Sequence, residues 1–158
     1  MPTKVPFQAP DYHTVTPAIA IKGAAEAIEF YKRAFNAREL HRMASPDGTV
    51  MHAEIQIGDA RIMVSDEFPD WGVLSAKTIG GSPTTLYIYC EDVDATTKQA
   101  IAAGARELQP VTDQFWGDRS GKIEDPFGYR WGLATHIEDV SPEEMDRRSK
   151  AWMNQDKK

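Results

Sequence analysis

The stretch VTPAIAIKGAAEAIEFYKRAF, Val15–Phe35, joins a short apolar strand to an amphipathic helix, and the same order returns later in the chain. Val15 to Ile21 reads as a strand, Ala24 to Phe35 as a helix, and strand-like segments follow down to Ile62 and Val64. Moving on 69 positions, Ile19 and Ile21 are echoed by Ile88 and Cys90, the helix by Val93 to Gly104, and Ile62 and Val64 by Trp131 and Leu133. A repeat of this length implies two copies of one supersecondary unit, each reading strand, helix, strand, strand, strand. The sequence therefore predicts a first βαβββ module over 14–67, a joining loop over 68–83 and a second module over 84–137. Residues 1–13 are expected to form an arm. Residues 138–158 should be a helical tail, because Ser141-Pro142-Glu143-Glu144 combines a capping box with proline at the first helical position.

Within the first helix Ala24, Ala27, Ile28, Tyr31 and Phe35 recur on one side, with Glu26, Glu29, Lys32 and Arg33 on the other. Gly58-Asp59, between Ile57 and Ala60, reads as a two-residue hairpin turn. Strand Val50 to Ile57 should then pair with Ala60 to Ser65. Pro69, Gly72, Gly80 and Gly81 mark the joining loop, which also carries Trp71. Asp125-Pro126-Phe127-Gly128 is expected to be the tight turn before the last strand of the second module.

A chain of 158 residues, 41% hydrophobic and 27% charged, has enough apolar content for a real core. Its net charge of −6 is spread without a basic stripe, which argues against a nucleic-acid partner. No apolar run is long enough to cross a bilayer, and the first residues lack the apolar core of a signal peptide, so a cytoplasmic protein with no membrane partner is expected. Cys90 is a single cysteine in an apolar strand and reads as a packed thiol.

If Gly58-Asp59 is the turn, Ile57 faces Ala60, Gln56 faces Arg61, Ile55 faces Ile62, Glu54 faces Met63 and Ala53 faces Val64. Alternation then puts Ala53, Ile55, Ile62 and Val64 under the helix. It leaves His52, Glu54, Gln56, Arg61, Met63 and Ser65 on the other face. In the second module the same alternation leaves Thr85, Tyr87, Tyr89, Arg130, Gly132, Ala134 and His136 away from the helix.

Ala25-Glu26-Ala27-Ile28-Glu29-Phe30-Tyr31, the second helix Val93 to Gly104, and Glu124-Asp125-Pro126-Phe127-Gly128-Tyr129-Arg130-Trp131 together resemble the vicinal oxygen chelate superfamily. That superfamily includes glyoxalase I, the bleomycin-resistance proteins, fosfomycin-resistance enzymes and extradiol dioxygenases. The resemblance spans residues from about 14 to 137 and implies an α+β fold of two βαβββ modules forming a cupped mixed sheet around a central cavity, commonly within a homodimer. Metal-dependent members present His, Glu or Gln from four strands, and those positions fall on or next to Thr16, Met63, Thr85 and Gly132 here. Two hydroxyls, a thioether and a glycine are poor donors for a divalent ion, so no cofactor and no metal ligands are expected at the usual centre.

Two constellations remain. His52 and Glu54 stand two apart on one face, as a general acid/base pair, as ligands of a displaced divalent metal site, or as an ion pair on a solvated strand. Gln114, Trp116, Asp118 and Arg119, with Trp71, Met63, Thr85, Tyr87 and Gly132, form the candidate ligand-binding set, since aromatic rings beside polar groups suit a small organic ligand. The function expected is binding of an aromatic or drug-like ligand without the usual metal. The alternative is a glyoxalase-type lyase or isomerase using His52 and Glu54.

Overall fold

In the computed structural model, which describes residues 5–155, the 69-residue spacing survives as hydrogen-bonded geometry. Ile19 lies beside Val64 and Ile88 beside Leu133, in two parallel strand pairs of matching register. The chain divides into two compact units, Met1–Gly81 and Ser82–Lys158. The fold is the expected α+β one, with two similar modules each built on a four-stranded mixed sheet.

The first unit contains β1 (Ala18–Ile21), α1 (Ala24–Phe35), β2 (Arg38–Ala44), β3 (Val50–Ile57) and β4 (Ala60–Asp66), in sheet order β1-β4-β3-β2. β1 starts later than expected because Pro17 has no N–H to give the ladder; only its carbonyl joins, accepting from Met63 N at 2.9 Å. The β3–β4 hairpin has the predicted register at every pair from Ala53↔Val64 to Ile57↔Ala60. One face of the sheet packs against α1, burying Ala53, Ile55, Ile62 and Val64 with Ile28, Tyr31 and Phe35. Burial of this apolar surface, at roughly 25 cal/mol per Å², is what holds so short a helix in place.

The joining segment is less irregular than its Pro and Gly content suggests. A 3-10 turn, Pro69–Trp71, is followed by α2 (Ala76–Ile79). Ser75 caps α2 by accepting from Thr78 N at 3.3 Å, and Glu67 accepts from both Ser75 N and the Thr78 hydroxyl. Polar caps, which periodicity does not register, organise this segment. The described part of the N-terminal arm lies on its own unit: Arg61 donates to Asp11 at 2.9 Å and stacks over the Tyr12 ring. Residues 1–4 lie outside the described residues.

The second unit contains β5 (Thr85–Tyr89), α3 (Val93–Ala103), β6 (Arg106–Asp113), β7 (Asp118–Glu124), β8 (Arg130–His136) and α4 (Pro142–Gln155), in sheet order β5-β8-β7-β6. Pro110 is tolerated in β6 because that strand is at the sheet edge, in a stretch where the pairing register shifts. Ser141 caps α4 as expected, accepting from Glu144 N. The turn between β7 and β8 is longer than its counterpart: Glu124 pairs with Arg130, so residues 125–129 form the connection. Asp125 organises it. One carboxylate oxygen accepts from Phe127 N and Tyr129 N and the other from the Trp131 indole at 2.9 Å, all with Asp125 4% exposed. The longer turn slips β7 by one residue relative to the repeat, since Trp131 pairs with Ile123 while Ile62 pairs with Ile55. A slip of one exchanges the faces of the strand.

Candidate functional site

In the second unit, Asp118 begins β7, four residues after Gln114, and stands opposite His136 at the end of β8. Its carboxylate is 4% exposed and accepts three side-chain hydrogen bonds. The Tyr89 hydroxyl donates at 2.9 Å, the Trp116 indole N–H at 3.2 Å, and His136 Nδ1 lies 2.8 Å from the second oxygen. The outer nitrogen of His136 reaches Asp139, 2.9 Å away. Asp139, then Asp118, hold the imidazole above its ordinary range, and the Asp118 carboxylate raises the Tyr89 phenol. A buried carboxylate without these donors is costly; with them it fixes three side chains at once.

Around that anchor lies an aromatic surface. Tyr87, Tyr89 and Trp116 are 46%, 65% and 38% exposed, although two of the three are hydrogen-bonded in place. The Tyr87 and Tyr89 rings are 5.4 Å apart and tilted. The Tyr87 ring rests on Gly132: a Cβ at that position would come within 2.3 Å of it. Gly132 therefore works as the floor of this surface. Gly117, with φ +95°, has a Cβ position 2.1 Å from the Glu138 carbonyl, so only glycine lets the loop carrying Trp116 close on the chain after β8.

Strand alternation separates two residues that the sequence reading groups together. Asp118 faces away from α3, whereas Arg119 turns to the helix side and makes a two-pronged pair with Asp94, at 2.7 and 2.9 Å, and a bond to Asp113. Arg119 is thus a strut between α3 and β7. Gln114 is part of the loop, bonded to Thr112 and Ser120, and borders a cleft of about 550 Å³ against α4, where Phe115 packs on Trp152. Thr85 is exposed on β5. Cys90 is half-buried and its thiol reaches the Ala134 carbonyl, a packed thiol as expected.

In the first unit, His52 Nε2 lies 3.3 Å from Glu54 Oε1, with Met63 paired to Glu54 on the next strand. Glu54 is not dedicated to His52. The Tyr12 hydroxyl is the largest of the influences that hold its carboxyl below the ordinary range, followed by His52 and Arg61. Arg61 Nη1 stands 3.6 Å from its other oxygen. Trp71 is 71% exposed and packs against Phe68, 5.1 Å between ring centres.

The metal positions implied by the resemblance do not fit a divalent ion. In the first unit the Thr16 hydroxyl is committed to the His13 carbonyl and Met63 offers a thioether. In the second, Thr85 offers a hydroxyl and Gly132 has no side chain. Among the described residues no group of three or more His, Cys, Asp or Glu side chains is arranged so that it could hold a metal ion.

Sequence reasoning names Trp116 and Asp118 as candidates but does not join them to His136, Tyr89 and Asp139. The join depends on the five-residue turn, which brings Asp118 opposite His136. Tyr12 and Asp11 were out of reach, because nothing in an aperiodic arm says which side chain it crosses.

A family model described as the Glyoxalase/Bleomycin resistance protein/Dioxygenase superfamily matches residues 13–133. The uncharacterised protein Rv0887c of Mycobacterium tuberculosis is 37% identical over 134 residues, 83% of this chain and 79% of its own length. Among crystal structures, TioX from Micromonospora sp. ML1 superposes with a TM-score of 0.62 at 26% identity, covering 82% of this chain and 100% of that one. The fosfomycin resistance protein FosX from Listeria monocytogenes, determined with Mn(II) and sulfate, superposes at 0.60 over 87% of this chain and 97% of its own. At 17% identity the FosX likeness shows the fold alone.

Proposed function

We propose that this chain, which belongs to the Glyoxalase/Bleomycin resistance protein/Dioxygenase superfamily, binds a small aromatic molecule on the face of β5, β7 and β8 away from α3. The observation that carries this reading is the set of exposed rings held in place: Tyr89 and Trp116 share one oxygen of a buried Asp118, and Tyr87 lies on Gly132. Exposed aromatic groups already ordered by hydrogen bonds lose little freedom when a flat ligand stacks on them. The reading is metal-independent, supported by the misfit of Thr16, Met63, Thr85 and Gly132 to a divalent ion. The functional form is a homodimer, checked by sedimentation of the purified protein.

A thermal-shift series with planar aromatic compounds tests the binding. Stabilisation should grow with the logarithm of ligand concentration and vanish in Trp116→Ala and Tyr87→Ala. A panel that shifts no melt, or shifts that persist in both variants, would end the reading. A second reading, a glyoxalase-type lyase or isomerase, is favoured by one observation, the 3.3 Å approach of His52 to Glu54. Elemental analysis separates the two: one equivalent of metal per chain, lost on replacing His52 or Glu54 by Ala, would displace the metal-independent reading.

A further inference from the structure

The chain has a net charge of −6, yet on one face of its first unit two arginines stand with a single strand carboxylate, and the second carboxylate there, Asp11, comes from the arm. Cross-strand pairing sets Arg38 opposite Gln56 and Gln56 opposite Arg61, so two guanidiniums stand in one row on the face away from α1. The next row holds His41, Glu54 and Met63, and the one after it Met43 and His52. Glu54 is the one carboxylate these rows contribute. Arg38 donates to Gln56 Oε1 at 2.9 Å and has no carboxylate partner among the described residues.

Arg61 is the deepest of these cations, its side chain 20% exposed. One terminal nitrogen points to Glu54 at 3.6 Å and the other donates to Asp11 at 2.9 Å. Its Nε is buried and has no acceptor among the described residues. A guanidinium holds a carboxylate best through two parallel hydrogen bonds, and Nε with a terminal nitrogen is one such fork. Asp11 fills a single prong. It arrives from the arm, is 77% exposed, and has φ +64°, a conformation unusual for a residue with a side chain. An ion pair with so exposed a partner holds weakly, and among the described residues the only further ion pair of this stretch is His13 with Asp59 at 3.9 Å, beside the stacking of Arg61 over the Tyr12 ring and the Tyr12 hydroxyl's bond to Glu54.

We propose that the face of β2, β3 and β4 away from α1 binds a small organic carboxylate, gripped side-on by Arg61 with Arg38 and His52 at its edges. Asp11 occupies that grip as a tethered stand-in until the ligand displaces it. The proposal is independent of the aromatic site, since its residues belong to the first unit.

Calorimetric titration of the full chain with succinate tests it. Binding should weaken about tenfold or more in Arg61→Gln, with Arg61→Lys falling between because it keeps charge and loses the fork. Asp11→Asn, which removes the internal competitor, should tighten succinate about two- to fivefold. Neutral succinamide should give no heat, and Trp116→Ala should leave the succinate titration unchanged. Succinate binding that survives Arg61→Gln overturns the proposal, as does an Asp11→Asn variant that binds no more tightly than the parent. Inorganic phosphate bound as tightly as succinate overturns the carboxylate assignment. Where circular dichroism shows Arg61→Gln unfolded, the Asp11→Asn titration decides alone.

Discussion

In the first unit the bulk between helix and sheet belongs to the helix, and in the second it belongs to the sheet. Ile28, Tyr31 and Phe35 of α1 have Thr97, Ala100 and Gly104 as their counterparts, whereas Ile62 of β4 has Trp131. Tyr31, Ala100 and Trp131 are all essentially inaccessible. The repeat therefore conserves the backbone plan while shifting side-chain volume across the interface, as a close-packed interior permits when total volume is kept. Polar chemistry divides in the same manner. The face away from the helix carries Arg38, Arg61, His41 and His52 in the first unit, whereas in the second the Tyr87, Tyr89 and Trp116 rings stand there with Arg130 and His136.

The largest test removes the bulk from each side in turn. Tyr31→Ala and Trp131→Ala should each cost about 3–5 kcal/mol in denaturant unfolding, with Trp131 the more costly because Asp125 also loses its indole donor. A small cost at either site would break the volume exchange. The helix caps come next. Asp66 accepts from Gly23 N, Ala24 N and Val50 N, while its counterpart Thr135 accepts only from Val93 N and donates to the Cys90 carbonyl. Asp66→Ala should cost about 2 kcal/mol and Thr135→Ala about 1 kcal/mol. Equal costs would show that the two caps are equivalent despite their different bond counts.

A smaller effect of opposite sign is expected at Thr97, where the α3 counterpart of Ile28 buries a hydroxyl with no partner among the described residues. Thr97→Val keeps the shape and should raise stability by about 1 kcal/mol, read from the shift in unfolding midpoint. The smallest is a pH dependence confined to the second unit. His136 is held above its ordinary value of about 6.5, first by Asp139 and then by Asp118. Because the folded value is the higher one, the stabilisation is complete below about pH 6.5 and is lost as pH rises through the raised value. Proton NMR titration should show the His136 value falling in both Asp139→Asn and Asp118→Asn. Added salt should erase the exposed Asp139 contribution before that of the buried Asp118.

Much of this was legible from residue types alone. Helix α1 has the predicted bounds, and the β3–β4 register follows from a two-residue Gly-Asp turn and a strict alternation of apolar residues. The second hairpin was harder. Asp-Pro-Phe-Gly announces a turn but not its length, and the length sets whether Asp118 meets His136 or misses it. Arg119 shows the cost of reading neighbours as partners, for adjacent strand residues point to opposite faces and Arg119 finds Asp94 on α3 instead.

The sequence by itself determined the doubled βαβββ order, the helix faces and the first hairpin, because these rest on local periodicity and turn chemistry within a few residues. Beyond pairs within one strand such as His52 and Glu54, tertiary structure alone decided which charged groups meet. Asp118 with His136, Tyr89 and Trp116, and Arg61 with Glu54 and Asp11, join side chains up to 50 positions apart. Such meetings depend on register and on where an aperiodic arm lies, and a change of one residue in either exchanges one face of a strand for the other.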